Sequence, residues 1–130
     1  MKAFVKTKST EKVSIMGYER DVDWSRDAVA VALIAASEKE KATQNTPVEN
    51  SANILEETVE SRIHTLKQIY CEAINKIIGD PQASETIFAE DDSMETVSEV
   101  YEYLTAGYSA YRKRRQTAYS PERIADEPVN

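Results

Sequence analysis

The sequence predicts a mainly α protein in which a small N-terminal β-hairpin precedes about four helices and a disordered C-terminal tail. In the first 24 residues apolar side chains alternate with polar ones, which is typical of half-buried strands. After that, apolar residues recur every three or four positions, which is typical of amphipathic helices. The chain has 130 residues and no internal repeat. We therefore expect a single helical domain, residues 1–115 with the hairpin in about 1–24, and a flexible tail, residues 116–130.

The hairpin is expected to pair Lys12–Ile15 with Tyr18–Asp23. Met16-Gly17 lies between these segments, and glycine tolerates the positive φ that a two-residue turn requires. An isolated hairpin is marginal in water. It must therefore pack against the helices of its own chain or against a neighbouring molecule.

The first helix is predicted from about Arg26 to Ala42, with Ser25 or Asp23 as its cap. Five alanines favour the helix and permit close approach of a neighbour. The apolar positions expected to face the core are Val29, Leu33 and Ile34. The polar stretch that ends in Pro47 breaks this helix.

A long second helix is predicted from about Ser51 to Ile78, and Gly79 is placed to end it. Its apolar residues form one stripe with a period near 3.6. They are Leu55, Val59, Ile63, Leu66, Tyr70, Ile74 and Ile77.

Asp80-Pro81 predicts a short third helix, because Asp caps a helix and Pro suits its first position. This helix carries Ala83, Ile87 and Phe88. The fourth helix is expected to begin at a capping box formed by Asp92 or Ser93 with Glu95 or Thr96. Its apolar stripe consists of Met94, Val97, Tyr101, Leu104, Tyr108 and Tyr111. Gly107 interrupts it, and we expect this glycine to let another backbone approach closely.

The composition excludes most kinds of chemistry. The single cysteine excludes an intrachain disulfide and the cysteine-based zinc sites, and the single histidine removes most transition-metal centres. Three glycines leave no phosphate-binding loop. No apolar run approaches the roughly 20 residues of a membrane span, and the N-terminus has no apolar run of signal-peptide length. We expect an intracellular, non-enzymatic protein without a cofactor, a metal or a membrane anchor.

Two groups of side chains that could bind a cation or act in catalysis are also explained by structural roles. The acids at 90, 91, 92 and 95 lack the spacing of an EF-hand, so we expect a solvated loop and a helix cap there. His64 and Cys71 share a helical face but lie about 10 Å apart along the axis, which is too far for a nucleophile and its base.

The aromatic face of the fourth helix is a candidate association surface. Tyrosine combines a rigid apolar ring with a polar tip, which suits a surface that is wet in one state and buried in another. The hypothesis places self-association or client binding on Tyr101, Leu104, Tyr108 and Tyr111, together with Ile87 and Phe88. Ordinary core packing is the alternative, since apolar helical stripes usually face the core.

The charges are segregated along the fourth helix. Residues 78–110 contain eight acids and no Lys or Arg, and the basic run Arg112, Lys113, Arg114 and Arg115 follows directly. Basic residues are favourable at a helix C-terminus. Alternatively, the basic run of one copy pairs with the acidic stretch of another. The net charge of −7 argues against nucleic-acid binding, which requires a basic face.

The segment from Ile74 to Arg115 resembles the small tail assembly chaperones of long-tailed bacteriophages, especially those of Gram-positive hosts. The similarity consists of a helix ending in Ile-x-Gly, a short Asp-Pro-x-Ala-x-x-x-Ile-Phe helix, an acidic linker and an aromatic final helix. The hairpin is similar to the opening of this family at Gly17, Tyr18, Glu19, Val22 and Asp23. Arg20 departs from the family pattern, and residues 44–53 are not matched.

The resemblance implies a non-enzymatic protein made early in tail assembly. Such chaperones coat the hydrophobic tape measure protein, keep it soluble and help recruit tail tube subunits around it. They self-associate through helical faces, act in the host cytoplasm and are absent from the mature virion. Many are also made in a longer, frameshifted form, for which the tail after residue 116 would be the joint. Alternatives are a structural head–tail connector or tail-completion protein, and a helical adaptor unrelated to phage.

Overall fold

The computed structural model describes residues 3–44 and 52–119. It contains two strands, β1 (Thr10–Ile15) and β2 (Tyr18–Asp23), followed by four helices. These helices are α1 (Asp27–Gln44), α2 (Ala52–Ile78), α3 (Ala83–Ile87) and α4 (Met94–Tyr119). The predicted fold class is therefore confirmed. Helix α4 continues four residues past its expected end at Arg115, and the rest of the predicted tail, residues 120–130, lies outside the described residues.

The hairpin has the predicted turn. Strands β1 and β2 are antiparallel, with Ile15 opposite Tyr18. Both turn residues have positive φ, 48° at Met16 and 86° at Gly17, which is the pattern of a type I′ turn. The inner faces of the strands are buried in the same core as the helices. The hairpin therefore packs against its own chain.

Helices α1 and α2 are antiparallel. Arg26, just before α1, donates to the carbonyl of Ile77 near the end of α2, whereas Lys39 of α1 pairs with Glu72 at 3.3 Å. Small residues line the contact, since the buried positions of α1 are Val29, Ala32 and Ala36. The prediction that Leu33 and Ile34 face the core is wrong in part. Leu33 is only partly buried, and Ile34 is 60% exposed. Alanine side chains let α1 and α2 approach each other closely, so the larger side chains of α1 lie beside this contact or on the outer face of the helix.

Helix α4 runs parallel to α2. Tyr101 stacks on Tyr70 with ring centroids 4.5 Å apart and an interplanar angle of 21°. Val97, one turn earlier, lies beside Cys71 and Lys67. The buried residues of α4 are Val97, Val100, Leu104 and Tyr111. The side chain of Trp24 approaches Gly107. The expectation that another backbone would approach this glycine is therefore wrong.

The junction between α2 and α3 has the predicted helix stop. Gly79 has a φ of +84°, and the N–H groups of Gly79 and Asp80 both donate to the Asn75 carbonyl, at 2.8 and 3.1 Å. This pattern satisfies the last carbonyls of a helix. The Asp80 carboxylate then accepts from the Gln82 N–H at 3.0 Å within the turn that precedes α3. The prediction that Asp80 caps α3 with Pro81 as its first residue is wrong, because α3 begins at Ala83 and its N-cap, Gln82, makes no side-chain capping bond.

The start of α4 is capped by Ser93. Its Oγ accepts from the Thr96 N–H at 3.3 Å. Asp91 supports the cap by accepting from the Ser93 N–H and from the Thr96 hydroxyl, at 3.1 and 2.6 Å. The structure therefore shows one of the predicted capping pairs, Ser93 with Thr96.

Candidate functional site

The apolar part of the predicted association surface lies in the core. Ile87, Phe88, Leu104 and Tyr111 are between 0% and 6% exposed. The hypothesis that these four side chains form an association surface is therefore wrong, and core packing explains them. The physical reason is that α3 and α4 both pack on α2, which turns the apolar side chains of both helices inward.

The remaining tyrosines of this stripe are at the edge of the core. Tyr101 and Tyr108 are partly buried and pack against it, and Tyr108 lies 6.4 Å from Tyr111 between ring centroids. Burial, with the neighbouring Glu40 carboxylate, raises the pKa of Tyr70 to about 12, and the same two causes raise the pKa of Tyr101. This tyrosine stack therefore stays neutral at physiological pH and binds α4 to α2. Tyr103, in contrast, is 49% exposed and points away from the core.

The basic run lies on the exposed end of α4. All four residues, Arg112, Lys113, Arg114 and Arg115, are exposed. Arg114 pairs with Glu11 of β1 at 3.9 Å, and both side chains are about half exposed, so this ion pair contributes little to stability. Arg115 lines a hollow with Tyr111 and the N-terminal segment around Lys6. The pairing of this run with the acidic stretch of a second copy stays a prediction.

A groove lies between α2, α3 and the start of α4. Its volume is about 350 Å³. The apolar part of its lining includes Cys71, Phe88 and Val97. Polar or charged side chains surround it, with His64 and Lys67 on α2 and Glu85 and Asp92 opposite. We call this cavity the α2–α3 groove; its full lining is His64, Lys67, Gln68, Cys71, Ser84, Glu85, Phe88, Asp92 and Val97.

Sequence reasoning missed the α2–α3 groove because its lining comes from three separate segments. The only indication of the groove in the sequence was that His64 and Cys71 share one face of α2. Both residues do line the groove. Burial raises the pKa of the Cys71 thiol, so this cysteine is protonated at neutral pH and is a poor nucleophile. An apolar floor with mixed charges at its rim suits an apolar side chain presented by a partner helix.

A second feature is the uncovered part of α2. Val59 and Ile63 are 45% and 40% exposed. Both lie on the same helical face as Tyr70 and Ile74, which are covered by the rest of the chain. The outer face of α1 carries another exposed apolar pair, Val31 and Ile34, at 62% and 60%.

Among residues 3–44 and 52–119, no group of three or more His, Cys, Asp or Glu side chains is placed to hold a metal ion. No helix in that part of the chain combines the length and the apolar character needed to cross a bilayer. No protein-family model, no curated protein and no solved structure matches this chain.

Proposed function

We propose that this chain is a non-enzymatic phage tail assembly chaperone. In this role it coats the tape measure protein, keeps it soluble and helps recruit tail tube subunits, and it self-associates through helical faces. It acts in the host cytoplasm and does not enter the mature virion. The observation that carries the proposal is a contact between the two segments on which the resemblance rests: the Tyr18 hydroxyl donates to the Asp80 carboxylate at 2.8 Å.

This contact joins residues 62 positions apart in the chain. Tyr18 follows the hairpin turn at Gly17, and Asp80 follows the helix stop at Gly79. Arg20, the residue that departs from the family pattern, adds a second link to Asp80 at 3.4 Å. The two motifs therefore belong to one structural unit, which supports treating them together as a family signature.

The α2–α3 groove is the surface that we assign to the client. Tape measure proteins form long helices, so an amphipathic client helix would insert apolar side chains over Phe88 and Val97. The charges at the rim have both signs, Lys67 on one side and Glu85 on the other. Such a rim selects the orientation of a charged helix more than it adds affinity.

The proposal is tested by coexpression with the tape measure protein of the same phage. Lys67→Glu with Glu85→Lys inverts both rim charges, and we expect the client to aggregate and to be lost from the purified complex. The matched control is Glu38→Lys with Lys41→Glu on the exposed face of α1, which should leave capture unchanged. Circular dichroism of each variant checks that the fold is intact. Equal capture by the rim variant and the control would place the client elsewhere.

The competing functions give different outcomes in two further measurements. Mass spectrometry of purified phage particles should not detect a chaperone, whereas a head–tail connector or tail-completion protein would be present. A long helical reading frame downstream of the gene, with an overlapping frame after a slippery heptamer, is expected for a chaperone. If the wild-type chain keeps no tape measure protein soluble and its gene lacks these neighbours, the helical adaptor replaces the proposal.

A further inference from the structure

A hollow of about 430 Å³ lies where the end of α4 meets the N-terminal segment and the start of α1. We call it the α4-end hollow. Its lining combines two aromatic rings, Phe4 and Tyr111, with the basic side chains of Lys6 and Arg115. Tyr111 is buried in the core, whereas Phe4 is 80% exposed. The hollow therefore offers apolar contact and positive charge side by side.

The polar groups of the α4-end hollow are incompletely paired. The Thr7 hydroxyl oxygen is buried and has no hydrogen-bond partner in the part of the chain that the structure describes, and an unpaired buried hydroxyl costs stability. Among the same residues, no carboxylate forms an ion pair with Lys6 or Arg115. Against these two cations the lining holds one acid, Asp27, so its described side chains have an excess of one positive charge.

Residues 120–127 have the chemistry that fits this hollow. They lie outside the described residues and continue the chain directly from α4, with the sequence Ser-Pro-Glu-Arg-Ile-Ala-Asp-Glu. Three acids and one arginine give this segment a net charge of −2. Its single large apolar side chain is Ile124. An acidic segment with one apolar side chain is complementary to a positively charged hollow with aromatic walls.

The segment is also long enough to reach the hollow. Arg115 lies four residues before the end of α4 at Tyr119, which is about 6 Å along the helix axis. Pro121 favours a change of chain direction there, because the residue before a proline avoids the helical conformation. The five residues from Tyr119 to Ile124 span at most about 18 Å when extended. This length exceeds the distance that Ile124 must return along α4.

We infer that residues 120–127 fold back on their own chain and occupy the α4-end hollow. Ile124 packs against the aromatic rings of the hollow, and the acids of the segment lie toward Lys6 and Arg115. An attached segment is favoured over a separate partner, because a short linker gives it an effective concentration in the millimolar range. The inference is independent of the proposed function, and for these residues it replaces the flexible tail that the sequence predicts.

Paramagnetic relaxation measured by NMR tests this contact on the full chain. In a Cys71→Ser background, which removes the single cysteine, Ala125→Cys carries a nitroxide label. Docking should remove most of the amide signal intensity of Lys6 and Thr7, whereas Thr43, near the far end of α1, should keep its intensity. The reference is the same sample after chemical reduction of the nitroxide.

Two variants, each with a matched control, test the chemistry of the contact. Ile124→Ser removes the apolar side chain and should restore the lost signals, whereas Val129→Ser, outside the docked segment, should not. Arg115→Glu reverses a charge of the hollow and should also restore the signals. Its control is Lys113→Glu, on the opposite face of α4, which should leave the signal loss unchanged. A signal loss that persists in both Ile124→Ser and Arg115→Glu overturns the assignment to the hollow.

A mixed sample separates a contact within one chain from a contact between chains. Spin-labelled protein at natural isotope abundance is mixed with isotopically enriched protein that carries no label. An equal signal loss in this mixture places the segment in the hollow of another copy and overturns the inference. Full signal intensity in the labelled chain shows a flexible tail and also overturns it. Neither measurement includes a client, so these failures leave the chaperone proposal in place, whereas loss of client capture with a docked segment removes only that proposal.

Discussion

The indole of Trp24 lies directly against the backbone of Gly107. A Cβ added at Gly107 would stand 2.6 Å from Cζ2 and 2.7 Å from Cη2 of this ring. Trp24 itself is 1% exposed and follows directly after β2. The contact therefore fixes the end of the hairpin against the middle of α4, and it explains a glycine inside a helix, where glycine ordinarily costs about 1 kcal/mol relative to alanine.

Gly107→Ala is expected to destabilise the protein despite the better helix propensity of alanine. On an open helix surface this substitution would stabilise by about 1 kcal/mol. Here the added methyl group overpacks the core, which typically costs 1 to 3 kcal/mol. We therefore expect the free energy of unfolding, measured by urea titration, to fall or at best stay level.

The double variant Trp24→Phe with Gly107→Ala is the control for this prediction. Phenylalanine lacks the outer ring atoms that approach Gly107, so alanine should be tolerated better in this background than in the wild type. The coupling energy from the double-mutant cycle isolates the contact. A stabilising effect of Gly107→Ala in the wild type would show that α4 shifts to make room.

Met16→Asn is expected to stabilise the hairpin. Met16 has a φ of 48°, and a left-handed conformation costs an ordinary residue about 1 kcal/mol, whereas asparagine adopts it readily. The Met16 side chain is 57% exposed, so little apolar contact is lost. Thermal unfolding should show a rise of a few degrees. Met16→Val is the opposite control, because a β-branched residue resists this conformation. An unchanged or lower midpoint for Met16→Asn contradicts the prediction.

Arg26→Met is expected to loosen the packing of α1 on the end of α2. The Arg26 guanidinium donates to the Ile77 carbonyl and, at 3.4 Å, to that of Lys76. Methionine keeps the apolar stem but leaves these helix-terminal carbonyls without this donor, which should cost about 1 to 3 kcal/mol. Urea unfolding measures the loss. Arg26→Lys keeps the charge and should retain part of the stability that Arg26→Met loses. Equal stability of Arg26→Met and the wild type would show that the carbonyls find other donors.

The parts of this fold that could be predicted from sequence are those set by local chemistry. The turn at Met16-Gly17, the stop at Gly79 and the cap at Ser93 each depend on a few adjacent residues. The buried face of α1 could not be predicted in the same way. Val29 was expected in the core and is buried, but Ala32 and Ala36 form the rest of the contact while Ile34 is exposed, because close helix packing selects small side chains.

The candidate site was less predictable than the fold. The tyrosine stripe of α4 has the expected period, but a period alone does not distinguish a core face from an association face. Leu104 is buried where α4 lies along α2, and Tyr111 lies near the N-terminal segment and the start of α1. No single segment encodes these arrangements. The α2–α3 groove depends on the same arrangement, since Phe88 and Val97 reach Cys71 from different helices.

Acid should weaken the contact between the hairpin and the end of α2. The N–H of Gln82 and the hydroxyl of Tyr18 both donate to Asp80 and hold the pKa of its carboxyl below the ordinary value of 3.8. A carboxyl with a lowered pKa in the folded state stabilises the protein above pH 3.8, and this contribution is lost as the pH falls through the folded-state value. The urea concentration at the unfolding midpoint should therefore decrease when the pH is lowered below about 4.

Asp80→Asn tests whether this carboxylate causes part of the loss in acid. The variant cannot titrate at this position, so its urea midpoint should be lower than that of the wild type at pH 7 but should fall less between pH 5 and pH 3. Tyr18→Phe removes only one of the donors to Asp80 and leaves the Gln82 N–H, which is the largest cause of the lowered pKa, and Arg20. Its urea midpoint should therefore depend on pH to an intermediate degree. Asp91→Asn, at the start of α4, reports on a separate carboxyl whose pKa is lowered by Thr96 and Ser93, and its effect should add to that of Asp80→Asn. If Asp80→Asn shows the same pH dependence as the wild type, the Tyr18–Asp80 contact does not contribute to acid stability.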